Sequence, residues 1–459
     1  MNGCGEEKIN KKLASKAAVI CYSFGDLASQ FVWTFVGSYL TIYYTDIVGL
    51  APAAVSAIML IARIWDAVND PMMGVLAERS GFKAGRFRPF IAMGCPILAL
   101  FSALTFTNPW GGGTAGVIWA GAVYIIAGMA YTFTNIPYGA LAGVMTEDAQ
   151  QRNRINTSRN IGMNVGMIIV NALSPVLLLK FSGPGAEMAV GRGYTMTAVV
   201  YSVISIPLFL LVFFTARENV RPVHRTDKVN IRDTIKNLVK NKYLMIILLI
   251  MALIMTAFMG RLAVISYYVI YCLGSFSLIS LIMTIPSVGS IISSFFLPFL
   301  VKRMGKRNLL AVSTVISGLG LLLIYSAPFD RIPMVIAGCC IFGFSNIGMP
   351  LTLSMVTDAV DYMELKTGIR TDGSAYATYG LATKLGNALG SAVGVLLLSF
   401  FGYAANQQQT EAAMHGINVV VNLLPAVLYF AAAACCFLWK MSDKDAEQIR
   451  EKLKERDTA

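Results

Sequence analysis

The run Arg63-Ile-Trp-Asp66-Ala-Val-Asn69-Asp70-Pro71 places two acids four residues apart at the end of a long apolar stretch. On a helix this spacing stacks Asp66 and Asp70 on one face, one turn apart. If the stretch crosses a bilayer, each charge near its centre costs about 2.5–3.5 kcal/mol, so two adjacent like charges are not kept for packing. They call for a cation between them. Carboxylate oxygens with the Asn69 amide make a hard-cation donor set, whereas a proton needs only one carboxylate that holds it at neutral pH. Arg63, one turn earlier, offers a competing account in which it neutralises Asp66. That account leaves Asp70 unexplained.

Other ionisable residues also interrupt apolar stretches. Asp26 either pairs with Arg63 near a helix end or accepts hydrogen bonds from hydroxyls of a ligand. Arg159, Lys384 and Arg261 are the remaining basic residues of this kind, so four embedded bases face three embedded acids. A bound cation enlarges that excess and an anionic ligand reduces it, provided Arg261 faces the same cavity. Arg159 supplies a planar fork suited to a carboxylate and Lys384 a mobile point charge; alternatively both only balance the acids.

The elements that position these groups are membrane spans. Of 459 residues, 56% are hydrophobic and 14% charged, where a soluble domain carries about 25% charge. Twelve apolar stretches of spanning length fall near 17–45, 52–76, 89–107, 114–143, 156–180, 194–215, 243–272, 276–301, 308–326, 333–357, 374–402 and 416–440. The first follows a Lys-rich segment without a small-residue cleavage site and reads as a retained span. The +12 net charge is not spread as a nucleic-acid footprint. Alternate connections hold 30 of the 37 basic residues, while the opposite side holds Lys180, Arg192 and Arg331. This split places both termini in the cytoplasm. The cysteines lie in or beside apolar runs without metal-ligand spacing, and His224 and His415 fall in loops with no nucleophile or ligand cluster beside them. An enzyme and a metal centre are therefore not expected.

The basic connector from Arg217 to Lys242 divides the chain into six spans plus six, giving expected units of 1–216, 217–242, 243–441 and a tail of 442–459. The loop Gly74-Val-Leu-Ala-Glu78-Arg79-Ser-Gly81-Phe-Lys83 is repeated in Lys302-Arg303-Met-Gly305-Lys-Arg307 at about half the chain length. The first of these resembles the loop motif of the major facilitator superfamily. The resemblance implies an all-α membrane protein of two six-helix bundles around a central cavity, with Glu78 and Arg79 holding one arrangement of the bundles.

Four segments are similar to the glycoside-pentoside-hexuronide:cation symporter family. They are Tyr44-Thr-Asp46-Ile-Val-Gly49-Leu; the Arg63–Pro71 run; Asn135-Ile-Pro137-Tyr138-Gly-Ala-Leu; and Asp358-Ala-Val-Asp361-Tyr362-Met-Glu364-Leu-Lys-Thr-Gly368-Ile-Arg370. Within the family, Gly402-Tyr-Ala-Ala-Asn406-Gln407-x-Gln409-Thr410 looks most like the glucuronide carriers. The resemblance implies that Asp66, Asp70, Asn69 and Thr132 bind Na⁺ or H⁺, with Li⁺ also open. It assigns Asp26, Gln30, Tyr131, Asn135, Arg159, Tyr379 and Lys384 to the sugar. Asn135 replaces an acid found in the family's melibiose permease, and Met349 replaces a tryptophan, so a substrate other than melibiose is expected. Trp33, Tyr131 and Tyr379 are candidates to stack on a sugar face. Arg63, Glu78, Arg79, Asp358, Asp361 and Arg370 form an expected gating and charge network.

The expectation is a monomeric cation-coupled importer in a bacterial cytoplasmic (inner) membrane. It takes a small-molecule glycoside, leaning to a glucuronide or other hexuronide, with a monovalent cation, no other cofactor and no nucleic acid. A neutral oligosaccharide or pentoside is the alternative, and a lysolipid a more distant one. The tail from Ser442 is expected to be a short solvated helix.

Overall fold

The computed structural model describes residues 13–82, 84–146, 148–219, 240–368, 372–405 and 407–458, and among them there is no strand. Helices α1 (Lys16–Ile42), α2 (Pro52–Arg79), α3 (Arg88–Leu104), α4 (Thr114–Val144), α5 (Ala149–Ser182) and α6 (Gly191–Thr215) form a first set. The second comprises α7 (Lys242–Tyr267), α8 (Leu278–Met304), α9 (Lys306–Ser326), α10 (Ile332–Ser345), α11 (Gly348–Thr367), α12 (Asp372–Phe400), α13 (Glu411–Asn418) and α14 (Leu424–Cys436), followed by α15 (Asp443–Thr458). Among the described residues, eleven helical segments are long and apolar enough to cross a membrane, and α3 is a shorter apolar helix. Helices satisfy the backbone internally, which hydrocarbon demands. Their first turns are closed locally, by Pro52 opening α2 and by Ser15, Asp148, Asn241 and Thr410 accepting from backbone N–H groups.

The expected tenth span, 333–357, is not one helix. It breaks after Ser345 and resumes at Gly348. Pro350 has no N–H with which to bond the Asn346 carbonyl four residues earlier, and that carbonyl accepts from the Ser290 hydroxyl at 3.1 Å instead. The tail helix is exposed over most of its surface, as expected, but one side of it docks. Ala446 and Leu453 of α15 are buried, Asp443 accepts from the Lys306 N–H that opens α9, and Arg456 pairs with Glu364 of α11 at 2.9 Å. Arg450 is 3.3 Å from Asp361 and also pairs with Asp358. Burial alone lowers the basicity of Arg450, but these carboxylates outweigh it and hold the guanidinium above its ordinary pKa.

Within the first set α1 packs on α5 and α6, α3 on α4 and α6, and α2 on α4; in the second, α7 packs on α12 and α14. Small residues permit this closeness: a Cβ on Gly390 of α12 would fall 2.4 Å from the Thr256 carbonyl of α7. The two sets meet where α1 faces α7, α2 faces α12 and α5 faces α8. A run of hydrogen bonds joins them toward the end that carries residues 43–50. Thr41 donates to the Ala263 carbonyl at 2.6 Å, Ser266 to the Ser38 carbonyl at 3.2 Å, and Ser56 to the Ala392 carbonyl at 2.7 Å. Thr45 meets the Tyr267 hydroxyl at 2.8 Å, and Ser280 donates to the Ala172 carbonyl at 2.8 Å. Asp46, in a π-helical turn that continues α1, accepts from Tyr271 and Tyr403 of the second set. This end is closed.

Removing both phenol donors with Tyr271→Phe and Tyr403→Phe leaves the rings in place but takes two charge-assisted bonds from Asp46. Each bond of that kind is worth about 1.5–3 kcal/mol, so the balance moves toward opening of this end. A cysteine introduced at exposed Gly49 should then react with a membrane-impermeant maleimide no differently, whereas one at Thr41, sealed at 1% exposure, should react several-fold faster. Unchanged reactivity at Thr41 would show that the Asp46 cluster does not hold the closure.

Candidate functional site

Midway along the first set, three ion pairs gather the embedded charges. Asp26 of α1 pairs with Arg159 of α5, Nε to Oδ2 at 2.8 Å. Arg63 and Asp66 of α2 pair at 3.0 Å, one turn apart. Asp70 pairs with Lys384, which reaches it from α12. The Asp70–Lys384 contact joins the two helix sets, and Lys384 also lies within electrostatic reach of Asp66. Asp26 therefore pairs with Arg159 and not with Arg63, which corrects one of the two sequence readings of that acid. The Arg63 account of Asp66 holds geometrically but does not reach Asp70.

The acids of α2 face α4. Thr132 donates its hydroxyl to Asp70 Oδ1 at 2.8 Å, and Gly128, one turn away, leaves room for the Asp66 carboxylate, since a Cβ there would sit 3.2 Å from Oδ1. Asn69 is buried, and its amide nitrogen meets no acceptor among the described residues. The acceptors that converge here are two carboxylates and a hydroxyl; the unmet Asn69 group is a donor and adds nothing to a cation's ligand set. The chemistry of these acceptors fits a hard monovalent cation or a proton. As drawn, Lys384 is the cation that Asp70 holds.

The same Asp26 oxygen, Oδ2, also accepts from the Tyr138 hydroxyl at 2.8 Å. Arg159 also lies over the Tyr138 ring, 4.8 Å from its centroid. Half-buried Asn135 donates to the Ser29 hydroxyl at 3.0 Å, and Gln30 accepts from Thr34 at 2.5 Å. Trp33 stacks on Tyr131 at 4.5 Å and lies 5.3 Å beneath Arg63. Asp26, Gln30, Tyr131, Asn135 and Arg159 therefore belong to one neighbourhood on α1, α4 and α5, beside the acid pair.

Other expected members are elsewhere. Tyr379 does not present its ring: it is 6% exposed, and its hydroxyl meets Thr352 at 2.9 Å and Met251 Sδ at 3.2 Å inside the second set. Arg261 is buried among α7, α10 and α14, over the Phe342 ring at 5.1 Å and near Cys339, so the charge excess does not rest on a guanidinium facing the paired acids. Asp358 and Asp361 pair with Lys306 and Arg450 of their own set. Arg79 is exposed and meets no acid among the described residues. The Glu78 side chain and Arg370 lie outside what the structure describes.

A model of the family described as MFS/sugar transport protein matches residues 21–443. The chain belongs to that family. Membership makes this a transporter and not an enzyme, with the all-helical, multi-pass architecture of its fold. The chain is 28% identical to a protein of Escherichia coli (strain K12) named glucuronide carrier protein homolog, over 96% of each chain. It is also 28% identical to the isoprimeverose transporter of Lactiplantibacillus pentosus, over 96% of this chain and 92% of that one. The crystal structure of a D-xylose-proton symporter superposes with a TM-score of 0.65 at 14% identity, covering 92% of this chain and 97% of that one, a likeness of fold.

Family motifs alone did not single out Asp46 or Tyr138. Both lie inside quoted segments, and each meets residues far away in sequence, Asp46 meeting Tyr271 and Tyr403 and Tyr138 meeting Asp26. A polar residue embedded beside Thr45 or Pro137 was the available signal.

Proposed function

We propose that this protein is a cation-coupled symporter that imports a glycoside by alternating access, with a uronide preferred. Asp66, Asp70 and Thr132, with Asn69 beside them, hold the ion; Asp26, Arg159, Asn135, Gln30 and the Trp33–Tyr131 pair face the sugar. The observation that carries the reading is the Asp70–Lys384 pair. A cation entering between Asp66 and Asp70 must displace the ammonium, and the displaced Lys384 becomes free to take a carboxylate. Ion and uronide would then bind better together than apart, which is the coupling a symporter needs. Both termini are cytoplasmic in this reading, the membrane is a bacterial inner membrane, and the monomer is the working unit. The closed end that holds Asp46 is then extracellular.

A neutral glycoside is the second reading. Arg159 and Lys384 are each already met by an acid, and a carrier that keeps those pairs intact has no free charge for a uronide. Proteoliposomes with imposed Na⁺ or H⁺ gradients, given a labelled glucuronide and its neutral glucoside counterpart, separate the two. Gradient-driven accumulation of the glucuronide supports the first, and preference for the glucoside overturns the uronide assignment. Lys384→Gln sharpens the result. Removing a competing ammonium worth about 1 kcal/mol at a half-exposed pair should tighten cation binding about fivefold, while glucuronide uptake falls. Loss of both together would mean that Lys384 does not compete with the ion.

A further inference from the structure

One groove of the structure is unrelated to the paired acids. A cavity of about 590 Å³ opens between the end of α2, the start of α3 and α4, lined by Leu76, Arg79, Phe82, Phe90, Met93 and Phe133, with Ser80 and Gly81 at its rim. Arg79 is nine residues on from Asp70. At 100° per residue it points to the opposite side of α2. That side also carries exposed Trp65, Val68, Met72 and Val75. In a multi-pass membrane protein, an exposed apolar face turned away from the paired charges is in contact with lipid.

We propose that this groove holds one anionic phospholipid, its phosphate on Arg79 and the upper part of an acyl chain on the aromatic floor. The chemistry of the lining matches an amphiphile and little else. Phe82 meets Phe90 edge-on at 5.6 Å, and Phe90 meets Phe133 at 5.1 Å, making a continuous apolar surface. Leu76 and Met93 flank it at 53% and 43% exposure. At the polar rim stands Arg79, a permanent cation that meets no acid among the described residues. Its guanidinium offers paired donors suited to a phosphate. A free sugar would find no polar partners on the floor, and a peptide would have to enter the bilayer to reach it. Charge complementarity selects an anionic headgroup over a zwitterionic one, because the trimethylammonium of a choline lipid would stand beside the guanidinium.

Native mass spectrometry of the full chain released from nanodiscs of phosphatidylglycerol and phosphatidylcholine tests this. The protein should retain a single phosphatidylglycerol in preference to phosphatidylcholine. Arg79→Gln should lower that retention about fivefold, the effect of about 1 kcal/mol per basic group at an anionic surface. Met93→Trp, which fills the groove without changing charge, should lower it as well. Arg303→Gln, in the repeated loop of the second set, should not. Equal retention of both lipids, or undiminished retention in either groove variant, overturns the proposal; loss in Arg79→Gln alone would reveal diffuse charge attraction and no groove.

Discussion

Asp70→Asn is expected to abolish cation-driven accumulation while leaving substrate exchange across the membrane measurable. Asparagine keeps the size of the side chain and can still accept from Thr132, which donates to Asp70 at 2.8 Å. What it loses is the charge. A charge-assisted contact is worth about 1.5–3 kcal/mol, and with it gone Lys384 becomes an unpaired ammonium beside the ion's place. Attraction and repulsion change together, so cation affinity should drop by about 100-fold or more, two decades being about 2.7 kcal/mol. Folding should survive, because the Lys384 side chain is 48% exposed and can be hydrated. Uptake under an imposed ion gradient and counterflow without one, measured on the same proteoliposomes, separate coupling from translocation. Accumulation that persists in Asp70→Asn would remove Asp70 from the ion site, and equal loss of counterflow would show that the substitution blocks movement itself.

How much of this was legible beforehand depends on the range of the interaction. Asp66 and Asp70 were readable because their i, i+4 spacing is a local property of one helix, and charge in an apolar run is conspicuous at any distance from its partners. The spans were readable for the same reason, with boundaries close to those observed for most helices. The break at 346–347 could have been inferred from Pro350, but an apolar run hides a missing backbone bond when hydropathy is all that is counted. Partner choice was not readable. Asp26 lies 133 residues from Arg159, and only the packing of α1 on α5 brings them together. The tail is solvated over most of its surface, in keeping with its charge; the docking of its other side is written in the stripe of Ala446, Ile449 and Leu453. Tyr379 shows the converse: proximity to the family's binding positions placed it at the sugar, while its hydroxyl is taken up by Thr352 and Met251 inside the second set.

The Asp26–Arg159 pair carries the second large effect, and it separates a binding role from a structural one. Arg159→Gln leaves Asp26 with the Tyr138 hydroxyl alone, in a place where its carboxylate side chain is 13% exposed. Breaking one side of a largely buried pair costs about 3 kcal/mol, so the thermal midpoint in detergent should fall clearly and substrate binding should be lost. Tyr138 compounds the effect, because it also stacks on Tyr22 at 4.6 Å and its single hydroxyl proton is shared between Asp26 and the Tyr22 carbonyl, 2.6 Å away; a displaced Asp26 pulls on the junction of α1 and α4. The double variant Asp26→Asn with Arg159→Gln removes both charges and restores amide hydrogen bonding at this point. It should recover most of the stability, the non-additivity expected of groups in direct contact. Binding should not return, since neither a carboxylate for sugar hydroxyls nor a guanidinium for a uronide remains. If the double variant regained both stability and binding, the pair would be a brace between α1 and α5, and the sugar would have to be sought nearer Asn135 and the Trp33–Tyr131 stack.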